Sequence, residues 1–397
     1  MFLFHRNGDG PAFGALIDIG SGTVGVAIVA SNSKEKLPTI LYTKRIMMRV
    51  AKQGTHKSED VRRVREALFS AALALSQEGQ QALFAHNPRA KITKLYVTCS
   101  SPWSYTVARN VRYEDDESFK VTQSVIDDLV QSAESEILSH LEEHSYINEK
   151  EFEVVERATV DITVNDYTVA SPLHLSGTTL GLSHIAGVVP KELMEALHEV
   201  QSKLFPNTEL RVHTYMLVMY CVMRDLFPRL HSLCIVDITG EATEFGIVEN
   251  NLLIENTFAP YGSNTFIRDA MHASGKPMSD ISTSIQAQAD MHMTESAELQ
   301  PQIEAYEQVL TDTIRHILAR RTLPTSIIIT AHRPYEQFFR QILARTLSSV
   351  TDKKLSIVSI EQNIVDEISH GAGNDVYLAL GARFFHKLHG CGEPTNQ

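Results

Sequence analysis

The apolar positions of this chain fall into two spacings. Residues 15–17 and 24–29 are short runs made mostly of Ala, Val, Leu and Ile on either side of Gly20-Ser21-Gly22-Thr23, the pattern of a strand, a tight turn and a second strand, with Asp18 at the bend. A further strand is expected over 39–47. From Ser58 the spacing becomes helical: Glu59 and Asp60 occupy a first turn, and Val61, Val64, Leu68 and Ala72 share one face. A strand over 95–98 follows. From about Val107 the character changes, with an acidic run Glu114–Glu117, a helix from Thr122 that turns Val125, Leu129, Ala133, Ile137 and Leu141 inward, and strand patterns over 153–164, 167–170 and 179–189. That stretch reads as a strand-helix-strand-strand unit inserted into a larger body, to which a helix over 191–205 returns the chain. Strands alternating with helices on both sides predict a three-layer α/β protein.

Length and charge narrow the function classes. The 397 residues, 43% of them hydrophobic, suffice for two to four domains or subdomains with real cores, and the formal charge of −12 argues against a nucleic-acid groove, which needs a basic stripe. The densest basic cluster is Arg62-Arg63 with Arg65. Cys99, Cys221, Cys234 and Cys391 lie far apart without Cys-x-x-Cys spacing, as in buried thiols of a reducing, cytoplasmic compartment. The apolar stretches 1–4 and 215–223 are both far short of the roughly 20 residues of a spanning helix, and the second reads as a helix buried under a sheet.

One feature repeats. "DIGSGTVGVAIV" begins at Asp18 and "DITGEATEFGIV" at Asp237; both open on Asp-Ile, close on Ile-Val, and follow an apolar run. Two strand-turn-strand hairpins with an acid at the bend, one in each half of the chain, form an internal repeat. Backbone amides converging at such turns suit an anion.

This pair of hairpins resembles the actin-fold ATPase superfamily, and the insert, together with "VASPLHLSGTTLGLSHIAGVV" and "APYGSNTFIRDAMHASGKPMSD", resembles the bacterial FtsA/PilM family of cell division and type IV pilus assembly over nearly the whole chain. The resemblance implies two related ribonuclease-H-like domains with a small strand-helix-strand-strand insert. Residues 12–106 and 190–230 would form the first domain, 107–189 the insert, 231–388 the second domain and 389–397 a tail. It further implies ATP and magnesium in the cleft. Asp18 and Asp237 would serve the metal, and Gly20, Ser21, Gly22 and Thr23 one side of the phosphates. Thr239, Gly240, Glu241 and Thr243 would face them from the other side, Gly262 and Ser263 the ribose, and Thr330, Ala331 and His332 the adenosine.

Several of these positions depart from the family pattern. The second loop, Thr239-Gly240-Glu241-Ala242-Thr243, loses glycines and sets a carboxylate where phosphate oxygens would come; Ala331 and His332 replace paired glycines; and the helix near 281–286 carries neither the Glu nor the Lys that the family offers to adenosine. Weak or absent nucleotide binding is therefore expected. The function expected is an actin-like scaffold of cell division or pilus assembly, acting through protein contacts and self-association. Its partners would be division or pilus-assembly proteins or the cytoplasmic tail of a membrane protein, which would recruit it to the inner face of the membrane. The alternative is an active Mg-ATP-dependent ATPase whose assembly is switched by nucleotide. His140-Leu141-Glu142-Glu143-His144 spells a metalloprotease motif but reads as a solvated helix end without a third ligand; Trp103 reads as packing, and Glu241 and Glu244 as solvated carboxylates.

Overall fold

The first apolar pair forms β1 (Ala12–Ile19) and β2 (Thr23–Ser31), which run antiparallel with Asp18 opposite Gly25. In this computed structural model, which describes residues 11–50, 57–143, 152–290, 298–360 and 362–389, three more strands complete the first sheet. They are β3 (Thr39–Met47), antiparallel to β2, and the parallel pair β4 (Lys94–Cys99) and β9 (Glu209–Thr214), in the order β3-β2-β1-β4-β9. The second half builds the same sheet again. β10 (Leu233–Ile238), β11 (Thr243–Glu249), β12 (Leu252–Ala259), β13 (Ser326–Ala331) and β14 (Ser356–Ser359) lie in the order β12-β11-β10-β13-β14. The repeat seen in two short strings thus extends to whole sheets.

Strand alternation decides where the acids go. Ala15, Ile17 and Ile19 point to the outer face, where helices α1 (Lys57–Ala74) and α4 (Lys191–Leu204) cover them, while Leu16 points to the opposite face. In the second sheet Cys234, Val236 and Ile238 point outward to α6 (Ser263–Ser274), α8 (Gln300–Leu318) and α9 (Arg333–Val350), and Ile235 points inward. With a period of two, Asp18 shares the face of Leu16 and Asp237 that of Ile235, so both acids stand on the inner faces, at the ends of their strands.

The layer between the sheets consists of α5 (Tyr215–Leu226) and α11 (Val376–His389). Residues 215–223 are all buried, which explains an apolar run without a polar face: a sheet lies on either side. Truncating a leucine there, such as Leu217, carries a penalty of about 2–5 kcal/mol.

The insert is a four-stranded sheet, β5-β8-β6-β7, made of β5 (Tyr105–Lys120), β6 (Phe152–Val164), β7 (Tyr167–Thr168) and β8 (Ser176–Pro190), with helix α3 (Gln123–Glu143) packed on it through Ile126, Leu129 and Ala133. One detail was not placed by the sequence, and one differs from expectation. The acidic run Glu114–Glu117 lies inside β5, on an exposed sheet edge where a bulge interrupts pairing between Glu114 and Phe119 and water solvates the charges. The strand expected over 167–170 is only two residues long, because Asn165 and Asp166 turn the chain back with positive φ and β7 ends the sheet.

Candidate functional site

The ends of β1 and β10 bring the two turns face to face, and the turns bond to each other. Ser21 Oγ donates to Thr239 Oγ1 at 2.8 Å and accepts from the Glu241 amide at 2.8 Å. Thr239 Oγ1 also lies 2.9 Å from the Ser101 carbonyl oxygen, a further link between the halves. The backbones are in contact: a Cβ on Gly240 would come within 2.9 Å of the Gly22 nitrogen, so a side chain at that position would push the turns apart. Gly262 and Ser263 join the second turn as well. The Ser263 amide donates to the Thr239 carbonyl and the Asn264 and Thr265 amides to that of Gly240, which occupies the N-terminal donors of α6.

Asp18 is almost fully buried and meets a cation of the protein's own. Arg45, from β3, places Nη1 2.9 Å from Asp18 Oδ2 and 2.7 Å from Thr23 Oγ1, and binds Asp375 with Nε at 2.7 Å and Nη2 at 2.8 Å. Its guanidinium also lies 5.4 Å from the ring centroid of Tyr377. Thr98, opposite Asp18 on β4, donates to Oδ1 at 3.0 Å. Burial works against the Arg45 charge, but Asp375 and Asp18 outweigh it and hold the guanidinium protonated. Burial likewise pushes the Asp18 carboxyl above its usual range, and Arg45 opposes that shift. The contact depends on Gly25, the residue between Asp18 and Arg45 across the sheet; a Cβ there would lie 2.5 Å from Arg45 Nη2.

Asp237 is fully buried, and among the described residues no such cation stands beside it. Thr330, opposite it on β13, donates to Oδ1 at 2.8 Å and the Tyr377 hydroxyl donates to the same oxygen at 3.1 Å, while Oδ2 is buried without a hydrogen-bond partner. Across the strand pair stands Glu244, whose Oε1 accepts from Asn256 Nδ2 at 2.8 Å. Burial, and then the Glu244 charge, raise Asp237 to about 8; burial raises Glu244 to about 7. Glu244, read from the sequence as a solvated carboxylate, is a core group.

Glu241 also differs from its expected place. Its carboxylate takes Arg268 at 3.0 and 3.1 Å and the Thr265 hydroxyl at 2.9 Å, so it is neutralised on α6. Thr243 turns away from the cleft to the Tyr261 carbonyl and the Tyr306 hydroxyl. Ala331 is buried at the end of β13, and His332, with burial lowering its pKa, lines the cleft beside Tyr335 and Tyr377. Asp18, the first turn, Thr239, Gly240, Ser263 and His332 surround one cavity of about 30 Å³.

A pocket for a magnesium–nucleotide pair has roughly 300–1,000 Å³; between the turns these residues leave the space of about one water, and a basin of about 390 Å³ adjoins it past Arg45, His332 and Tyr377. The place beside Asp18 is filled by a guanidinium. Sequence reasoning missed Arg45, Asp375 and Tyr377. The available signal was Gly25 at the eighth position of the first hairpin string, where the second string has Glu244.

The remaining motifs settle simply. Trp103 is buried in the core of the first half. His144, and the side chains of residues 140–143, lie outside the described residues, among which no group of three His, Cys, Asp or Glu could hold a metal ion. No described helix is long and apolar enough to cross a membrane.

No protein-family model matches the chain, and no curated protein does. Solved structures do. One described as a PilM–PilN type IV pilus biogenesis complex is similar over 96% of this chain and 100% of its own, with a TM-score of 0.58 and 12% identity. A Bacteroides thetaiotaomicron protein with an actin-like ATPase fold and unknown function covers 93% of this chain with 95% of its own, at a TM-score of 0.46 and 8% identity. The ethanolamine utilization protein EutJ from Carboxydothermus hydrogenoformans covers 96% with 94%, at 0.43 and 12%. The chain has an actin-like fold, and at these identities the likeness concerns fold alone.

Proposed function

We propose that this chain is an actin-like scaffold of the FtsA/PilM kind, working in type IV pilus assembly through protein contacts rather than through nucleotide turnover. The carrying observation is the cleft itself. Its two turns hydrogen-bond to each other through Ser21 and Thr239, and Arg45 stands beside Asp18, so the fold is closed by its own groups. The pilus reading is supported by the structural likeness to a chain from a PilM–PilN complex, itself an assembly of proteins. The partner proposed is the cytoplasmic tail of a membrane protein of the assembly machinery.

Two measurements test this. Calorimetric titration of the purified chain with Mg-ATP, paired with a phosphate-release assay, is expected to show no binding at micromolar concentrations and no turnover. Crosslinking in the native cell followed by mass spectrometry is expected to recover pilus-assembly proteins. Tight magnesium-dependent ATP binding with turnover would replace the scaffold by the switched ATPase, and recovery of division proteins in place of pilus proteins would move the chain to the division branch.

A further inference from the structure

We propose that the groove between β5 of the insert and β12 of the second half is a docking site for an extended, acidic segment of a partner protein. The inference rests on the scaffold reading, in which the chain works through protein contacts, and adds to it a place and a partner chemistry.

Two of the walls are sheet edges. The strand orders β5-β8-β6-β7 and β12-β11-β10-β13-β14 leave β5 and β12 each at an edge, and an edge strand presents backbone N–H and C=O groups to whatever lies beside it. Side chains bridge the two edges: the Tyr105 hydroxyl donates to the Asn256 carbonyl at 3.2 Å, and Asn256 Nδ2 donates to the Thr106 carbonyl at 3.3 Å. Beside these bridges lies a space of about 610 Å³, lined by residues 105–109 of β5 and 254–258 of β12, with the last turns of α8 and the two arginines after it. Five residues of extended chain span about 16 Å. That is the length of a short peptide rather than of a single anion, and an extended peptide is what a sheet edge recognises.

The charge of the lining decides what kind of peptide. Arg109, Arg320 and Arg321 stand against Glu255 and Asp312, three positive charges against two negative, with His316 beside them, in a chain of formal charge −12. The Glu255 side chain is 11% exposed and holds Arg320 Nη2 at 2.6 Å on one oxygen and Arg321 Nε at 3.6 Å on the other. One carboxylate thus positions two guanidiniums, each of which has five N–H donors and meets it through one nitrogen. The two arginine side chains are 46% and 47% exposed, so their other donors stay open to a second carboxylate. That second carboxylate is the one an acidic partner brings, in the charge-assisted geometry that arginine favours. Ile254 and Phe258 in the same lining favour a segment with apolar side chains between its acids. Because β5 belongs to the insert and β12 to the second half, the occupant would touch both and hold the insert to the body.

The test uses the purified full chain and the fluorescein-labelled hexapeptide Val-Glu-Thr-Glu-Val-Glu, beside matches with Gln or Lys in place of Glu. Fluorescence anisotropy is expected to show saturable binding of the Glu peptide with a Kd of about 100 µM or tighter, and binding of both matches weaker by about tenfold or more. Added NaCl is expected to weaken the Glu peptide and not the Gln match. A Glu peptide with photoreactive benzoylphenylalanine in place of Thr is expected to crosslink to residues that line the groove. Arg320→Gln with Arg321→Gln is expected to lose about tenfold in affinity for the Glu peptide and none for the Gln match. Should that variant not fold, His316→Glu, at an exposed helix position in the same lining, decides instead, with an expected loss of about threefold or more. The proposal is overturned by absence of saturable binding, by either match binding as tightly as the Glu peptide, by crosslinks confined to other surfaces, or by full affinity in the folded deciding variant. Nucleotide and pilus proteins are absent throughout, so failure here removes the groove alone; the scaffold reading stands or falls with the nucleotide titration and the crosslinking in the cell.

Discussion

Two rows of side chains, one across each sheet, start alike and end differently. In the first half the row runs Thr98, Asp18, Gly25, Arg45; in the second it runs Thr330, Asp237, Glu244, Phe258. Both begin with a threonine that donates to the aspartate. The third position then decides the chemistry. Glycine leaves an open lane along which Arg45 reaches Asp18, whereas Glu244 fills the lane and adds a second buried acid, and Phe258 supplies no charge beyond it. One aspartate is thereby held in an ion pair, and its counterpart holds a proton up to about pH 8. A repeated fold preserves the strand ends; it does not preserve what stands beside them.

The comparison breaks most directly at Gly25. Gly25→Ala should displace the Arg45 guanidinium and leave Asp18 buried without its partner, destabilising the fold by about 3 kcal/mol. Urea denaturation monitored by circular dichroism would read this, and an unchanged midpoint would mean that Arg45 accommodates the methyl group and that the lane is not needed.

Next comes the second row, and here the effect appears in the pH profile. The folded-state values of Asp237 and Glu244 lie above their ordinary ones, so between about pH 4 and pH 8 the folded chain retains protons that the unfolded chain has released, and stability falls as pH rises through that window. Each such proton contributes a slope of about 1.4 kcal/mol per pH unit. Asp237→Asn should be nearly silent at pH 5, where the native group is protonated, and should flatten the decline toward pH 8 by up to one proton's worth. Equal slopes for the two proteins would show Asp237 to be ionised in the folded state.

The smallest effect is expected at the contact between the turns. Ser21→Ala removes the donor to Thr239 and the acceptor for the Glu241 amide, at about 1–2 kcal/mol for two hydrogen bonds. Because the turns themselves would still touch at Gly22 and Gly240, Mg-ATP should bind no better in this variant. A gain of tenfold or more in ATP affinity would identify the Ser21–Thr239 bond as the closing element.

Much of the architecture is written in local pattern. Val- and Ile-rich runs around 18 and 237, the helical face from Val61 to Ala72, and the strand-helix-strand-strand order of the insert needed only periodicities of two and 3.6, which short segments carry by themselves. The matching hairpin strings announced two related halves, and their alternation was enough to set Asp18 and Asp237 on one kind of face. The partners of those acids were not legible in the same way. Arg45 lies 27 positions after Asp18, Asp375 another 330 after Arg45, and Glu241 finds Arg268 a further helix along. Nothing in the chain between them fixes these meetings. Whether a carboxylate faces a ligand, a guanidinium or a proton depends on which side chains the sheets and α11 bring within about 3 Å, the range over which a hydrogen-bonded charge pair forms. The sequence by itself determined the strands, the repeat and the acids at the strand ends; only the packing of one half against the other, through Gly25 and α11, decided that the cleft closes on its own cation.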